Sequence, residues 1–191
     1  YENNGVIKRD QVLEYIKNLE QNERKVLRDL GVKFGRFHIF LHRLIKPEAV
    51  SLRTLLWKNY HQKNFDHEPP TFGLNFLSDN KIRNRNFMLL CGFEKFENFY
   101  IRIDILERLF VKIINSKSEK KNEIKVLPEM LNLLGCNKEN FKKLLKNMNY
   151  TVLEKENEIF FKYSPKKRYK KQNKRIIKEN PFGVLKNLNF N

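Results

Sequence analysis

Residues 124 to 163, IKVLPEMLNLLGCNKENFKKLLKNMNYTVLEKENEIFFKY, leave the chain few choices of fold. Pro128 can open a short helix over EMLNLLG, because a proline in the first helical turn forfeits no hydrogen bond. Cys136 and Asn137 make a turn, and Asn137 is placed to cap the next helix. In that helix Phe141, Leu144, Leu145 and Met148 recur at three- and four-residue spacing, which predicts one apolar face. TVLEKENEIFFKY reads as two short strands joined at Glu156 and Asn157, and IKVLP as a strand ahead of the helix pair. With a helix over 103 to 115 in front, the order is helix, strand, helix, turn, helix, hairpin. That is the order of a winged helix-turn-helix.

Upstream the pattern is looser. Residues 8 to 30 set Val12, Ile16, Leu19, Val26, Leu27 and Leu30 among charged neighbours, an amphipathic helix with a break near Asn22 and a stop at Gly31. RFHIFL alternates as a short strand, with Phe37, Ile39 and Leu41 expected on one side. Pro47 starts a helix that runs past Trp57, and Pro69 and Pro70 mark a loop and an internal boundary. A short helix over NRNFMLLCGF follows, then a strand running into a helix over FYIRIDILERLFVKII, then a solvated linker, SKSEKKNE. The expected fold class is mainly α with small β elements (α+β). A helical accessory region spans 1–80, a winged-helix-like domain 81–163, and a basic tail 164–191.

The formal net charge of +17 favours polyanionic partners, although a lysine-rich composition explains part of it. Charge is also clustered. KYSPKKRYKKQNKRIIK holds nine basic residues with no acid before Glu179, a run that cannot bury a core. Within it Lys166, Lys167, Arg168, Lys170, Lys171, Lys174, Arg175 and Lys178 are candidate phosphate contacts, with Tyr163 and Tyr169 interleaved as a stacking segment would have them. In the second helix of the pair Lys138, Lys142 and Lys146 line up four apart, with Lys143 beside them. Lysines in this position suit phosphates rather than base edges. The plain alternative is a solvated helix face on a protein-binding unit, with a solubilising tail.

Other chemistry finds little support. LGVKFGRFHIFLHRLIKP has glycines and basic residues but neither phosphate-cradle pattern, so Gly31 and Gly35 read as backbone punctuation. Arg36 and Arg43 are candidates for nucleic-acid contact or for a structural role. His38 and His42, with His61 and His67 downstream, have no acid or cysteine near in sequence to complete a metal site. Cys91 and Cys136 lack metal spacing and read as small core residues in a reducing, cytoplasmic setting. No nucleophile elbow or catalytic acid pair stands out. No apolar run approaches the roughly 20 residues that cross a bilayer, so no membrane partner is expected. The chain begins at Tyr1 rather than Met, which fits a segment of something longer.

The run LRDLGVKFGRFHIFLHRLIKPEAVSLRTLLW closely resembles the region after the motor core in bacterial DEAD/DEAH-box superfamily 2 helicase-related proteins, akin to the mitochondrial degradosome RNA helicase. The Leu-Gly-Val-Lys-Phe-Gly turn, the apolar strand after it and the proline-led helix ending near Trp57 match in order. IRIDILERL at 101–109, MLNLLGCNKENFKKLLKNMNY and the closing NPFGVLKNL are similar to further blocks of that family. His42 departs from the family's usual proline, and an acid- and alanine-rich insert is missing. The motor motifs are absent, so the family's ATP chemistry maps onto no residue here. The resemblance implies the C-terminal accessory region of an ATP-dependent helicase, with ATP and magnesium belonging only to an upstream motor. The implied partners are nucleic acid, RNA favoured over DNA, and helicase motor domains on the same polypeptide. A free-standing winged-helix binder and a protein–protein adaptor are the alternatives.

Overall fold

A computed structural model describes residues 3, 5–61, 68–78, 84–116, 123–155 and 158–164. The fold is α+β, with helices and short strands mixed along the whole described length. Strands β1 (Val6–Lys8), β2 (Val32–Phe34) and β3 (His38–Leu41) form one sheet, and β4 (Phe76–Ser78), β5 (Phe93–Phe96) and β6 (Phe99–Arg102) a second. Strands β7 (Ile124–Lys125), β8 (Tyr150–Lys155) and β9 (Glu158–Tyr163) form a third.

All three sheets share one topology. Each is antiparallel, the last strand lies in the centre, and helix separates the first strand from the second. Helices α1 (Leu13–Asn18) and α2 (Gln21–Asp29) fill that place in the first unit, α4 (Arg85–Leu90) in the second, and α6 (Pro128–Leu134) and α7 (Lys138–Asn147) in the third. Helix α3 (Pro47–His61) leads into the second unit and α5 (Ile103–Asn115) into the third.

The corner after the last helix of each unit is built the same way. Leu30, Cys91 and Met148 end their helices with N–H groups donated four residues back, to Val26, Phe87 and Leu144, each at 3.0 Å. The next residue is left-handed in all three: Gly31 at φ 94°, Gly92 at 84° and Asn149 at 64°. These are residue types that reach positive φ at low cost. Their carbonyls then accept from the residue that ends the hairpin, Ile103 N–H to Gly92 at 2.8 Å and Ser164 N–H to Asn149 at 2.9 Å.

Each unit has its own core. Val6, Phe40 and Ile45 pack in the first with Ile103, and Val50, Phe87, Met88, Phe93 and Tyr100 in the second. The largest core lies between α5 and the third unit, where Leu106, Leu109, Met130, Leu134, Phe141, Leu144 and Phe161 exclude solvent. Ile103 sits in the first core while Ile105, Leu106, Leu109 and Ile113 of the same helix serve the third, so α5 ties the units together.

Several expectations change. The N-terminal region is not simply helical, because β1 and β2 flank β3 in a sheet. The break in its helix falls at Leu19 and Glu20, where Glu20 and Glu23 form a reciprocal capping box for α2. β3 buries the opposite face from the one expected. His38 and Phe40 point in, while Ile39 and Leu41 are half-buried, because His38 has carboxylate partners and Phe40 enters the first core. The boundary drawn at residue 80 runs through the second sheet, since β4 pairs with β6. Asn137 does cap α7, its side chain accepting from Asn140 N–H at 2.8 Å.

Candidate nucleic-acid interface

Helix α7 is amphipathic, so burial of Phe141, Leu144 and Leu145 fixes which lysines face water. Lys138, Lys143 and Lys146 are exposed. Lys142 is half-buried, and its ammonium lies 2.7 Å from Glu154 Oε1 on β8. The expected row of three, with Lys143 beside it, is thus three exposed cations and one, Lys142, held against the hairpin. Glu154 is itself exposed, so water and salt weaken that pair. Other lysines of the third unit are also matched: Lys155 with Glu123 at 2.5 Å, and Lys125 with Glu158.

Arg36 and Arg43 are both exposed. Arg36 occupies the β2–β3 turn, its guanidinium 5.8 Å from the centroid of Phe110 on α5. Arg43 lies in a 3-10 turn between β3 and α3. The tail candidates Lys166, Lys167, Arg168, Lys170, Lys171, Lys174, Arg175 and Lys178 lie outside the described residues.

The turn that presents Arg36 rests on a buried polar cluster. Glu107 reaches from α5 to accept three successive backbone N–H groups, from Arg36 at 2.5 Å, Phe37 at 2.9 Å and His38 at 2.8 Å. His38 then bridges two carboxylates, with Nε2 at 3.0 Å from Glu94 Oε2 and Nδ1 at 3.6 Å from Glu107 Oε1. Lys8 and Arg85 approach the other oxygen of Glu94, at 3.3 and 3.2 Å. Burial opposes charge on all three groups, but their mutual attraction prevails. The carboxylates raise the pKa of His38, and that histidine with its neighbours lowers those of Glu94 and Glu107. One turn earlier on α5, Asp104 forms a bidentate pair with Arg102, at 2.7 and 2.8 Å.

This cluster was not read from the sequence. The available signal was IRIDILERL, where Asp104 and Glu107 fall three apart in a helical stretch otherwise rich in isoleucine and leucine. Acids there must meet partners. Gly35 also gains a specific role, since it makes room for the Glu107 carboxylate.

Among the described residues no group of three His, Cys, Asp or Glu side chains is arranged to hold a metal ion. His38 and His42 do not converge: the first is buried between acids, and the second lines a surface cleft. Cys91 is buried and Cys136 half-buried, and the two form no disulfide. Burial pushes the Cys136 thiol up to about 11, so it stays protonated near neutral pH. No described helix is long and apolar enough to cross a membrane. No family model, curated protein or solved structure matches this chain.

Proposed function

We propose that this chain is the nucleic-acid-binding C-terminal accessory region of an ATP-dependent helicase, gripping the phosphate backbone of a strand that leaves the motor. RNA is favoured over DNA. In this reading α5 and the third unit form a winged helix, with α7 in the place of a recognition helix. The observation that carries it is the set of exposed lysines on α7, Lys138, Lys143 and Lys146, in a chain of net charge +17. Lys142 joins them once Glu154 is displaced, and the tail extends the same chemistry. Four co-linear blocks similar to the helicase-related family support the motor assignment. ATP hydrolysis with magnesium, in a cytoplasmic setting, would belong to that motor and to no residue here.

Titration of labelled single-stranded RNA against the whole chain over a salt series tests this. The logarithm of affinity should fall linearly with the logarithm of salt, and replacing Lys138, Lys143 and Lys146 by alanine should flatten the slope by up to about three units. Salt-independent binding, or none at low salt, overturns the proposal.

One observation favours the adaptor as a second reading. α3 exposes Leu52, Leu55 and Leu56, each more than half open to water, beside an 84% exposed Tyr60. A helix face this apolar suits protein contact, and the motor domains are the partner proposed for it.

A further inference from the structure

A cleft of about 750 Å³ opens between the β2–β3 turn and α5. A second, of about 490 Å³, lies between the same turn and the β8–β9 hairpin. Arg9, Arg36 and Phe110 line both, so these are two reaches of one groove. The first reach has an apolar floor of Phe34, Phe110, Val111 and Ile114, of which Val111 is 56% and Ile114 63% exposed. The second offers Phe37, Phe96, Tyr150 and Tyr163. Exposed Lys33, Arg36 and Arg108 stand along the first reach and exposed Lys95 along the second.

Acids also line the groove, but most are already matched. Asp104 is tied to Arg102, Glu107 to three amides, and Glu94 to His38, Lys8 and Arg85. Asp10 remains exposed at the second reach. The groove therefore turns cations outward over an aromatic and aliphatic floor.

We propose, resting on the nucleic-acid reading above, that this groove is the seat of a single strand, with bases on the apolar floor and phosphates on Lys33, Arg36, Arg108 and Lys95. Unpaired bases carry flat apolar faces that need such a floor, while the backbone between them needs spaced cations. A duplex keeps its bases stacked inside and has nothing to offer Val111 or Ile114. Arg36 already lies over Phe110, and a base entering there would complete a stack. The second reach includes Tyr163, from which the chain passes within a few residues into its basic run. α7 then becomes a flanking contact rather than the principal one.

The test uses the whole chain and uridine oligomers carrying 2-aminopurine or 4-thiouridine. Stacking should quench 2-aminopurine, and 4-thiouridine should crosslink to peptides holding residues 33–37 and 108–114. Lys33→Gln, Arg36→Gln and Arg108→Gln together should weaken binding at least about tenfold and abolish the quench. The α7 lysine variant should lower affinity while the quench stays. A thermal melt checks that the glutamine variant is folded, and crosslinking of the unaltered chain needs no substitution. Crosslinks confined to α7, unchanged affinity in the folded groove variant, or equal binding of duplex would overturn the assignment. So would equal competition by oligoglutamate of matched charge, which would mark an acidic-protein site. If the parent chain binds no strand at all, the nucleic-acid reading fails and this one with it; binding retained by the groove variant sinks this one alone.

Discussion

Glu107 fits against Gly35 only because position 35 has no side chain. A Cβ there would lie 2.6 and 2.7 Å from the two carboxylate oxygens and closer still to the carboxyl carbon. The carboxylate is held by three amides, so it has no equivalent place to go. Gly35→Ala should therefore displace Glu107, leaving a charged group and its donors poorly matched, at a cost of about 2–4 kcal/mol. Urea unfolding measures this. A loss under about 0.5 kcal/mol would mean that the turn relaxes freely and that the cluster does not hold Arg36 in place.

The same cluster sets a pH window. The folded pKa of His38 is raised, so its contribution to stability is complete below the ordinary histidine value of about 6.5. It is lost as pH climbs through the folded value. Glu94 and Glu107 are lowered, so their contribution is complete above about 4.3 and is lost as pH falls through their folded values. Stability should peak between these limits and decline on both sides. Melting temperature against pH checks the shape, and His38→Gln should remove the decline on the alkaline side. A parent curve that keeps rising above pH 7 would contradict the sign.

Gly31, Gly92 and Asn149 occupy equivalent corners, yet they differ in surroundings, which separates two costs. Around Gly31 nothing lies within 4 Å of a built Cβ, so Gly31→Ala meets only the left-handed backbone, about 1–2 kcal/mol. At Gly92 the Cβ would also press on Ile45, at 3.0 and 3.1 Å, and Gly92→Ala should cost more. Asn149→Gly should be neutral or mildly stabilising, because the backbone there already favours glycine. Denaturant midpoints for the three variants give the order. Equal losses at Gly31 and Gly92 would show that Ile45 moves aside without cost.

How much of this could be read from the sequence depended on length and locality. α6, α7 and the β8–β9 hairpin declare themselves, since helix period, proline start and Asn137 cap all act within a few residues. β1, β2 and β4 are three residues each, too short for alternation to register. β3 was legible as a strand but not in phase, because His38 counts as polar until Glu94 and Glu107 arrive from 56 and 69 residues away. The threefold topology stayed hidden for a similar reason. Its corners share a backbone conformation and carbonyl contacts, which glycine and asparagine both satisfy without any common side-chain signature. The candidate lysines of α7 followed from amphipathicity, whereas the groove beside Arg36 joins segments distant in sequence.

Lys142 and Glu154 offer a way to ask whether α7 meets phosphate at all. The pair couples helix to hairpin at 2.7 Å, and its partner Glu154 is a negative charge standing beside the lysines proposed to attract a strand. The Lys142 hydrogen bond and charge lower the pKa of Glu154, desolvation opposes them, and Lys146 adds a smaller pull in the same direction as Lys142. Glu154→Gln removes the charge and frees Lys142, while an exposed ion pair contributes little to folding. Affinity for single-stranded RNA at low salt should then rise about threefold, and the salt slope should steepen by up to about one unit. Filter binding over a salt series measures both. A strand that never touches α7 would leave slope and affinity where they were, and weaker binding would mean that Glu154 holds the helix in its binding position.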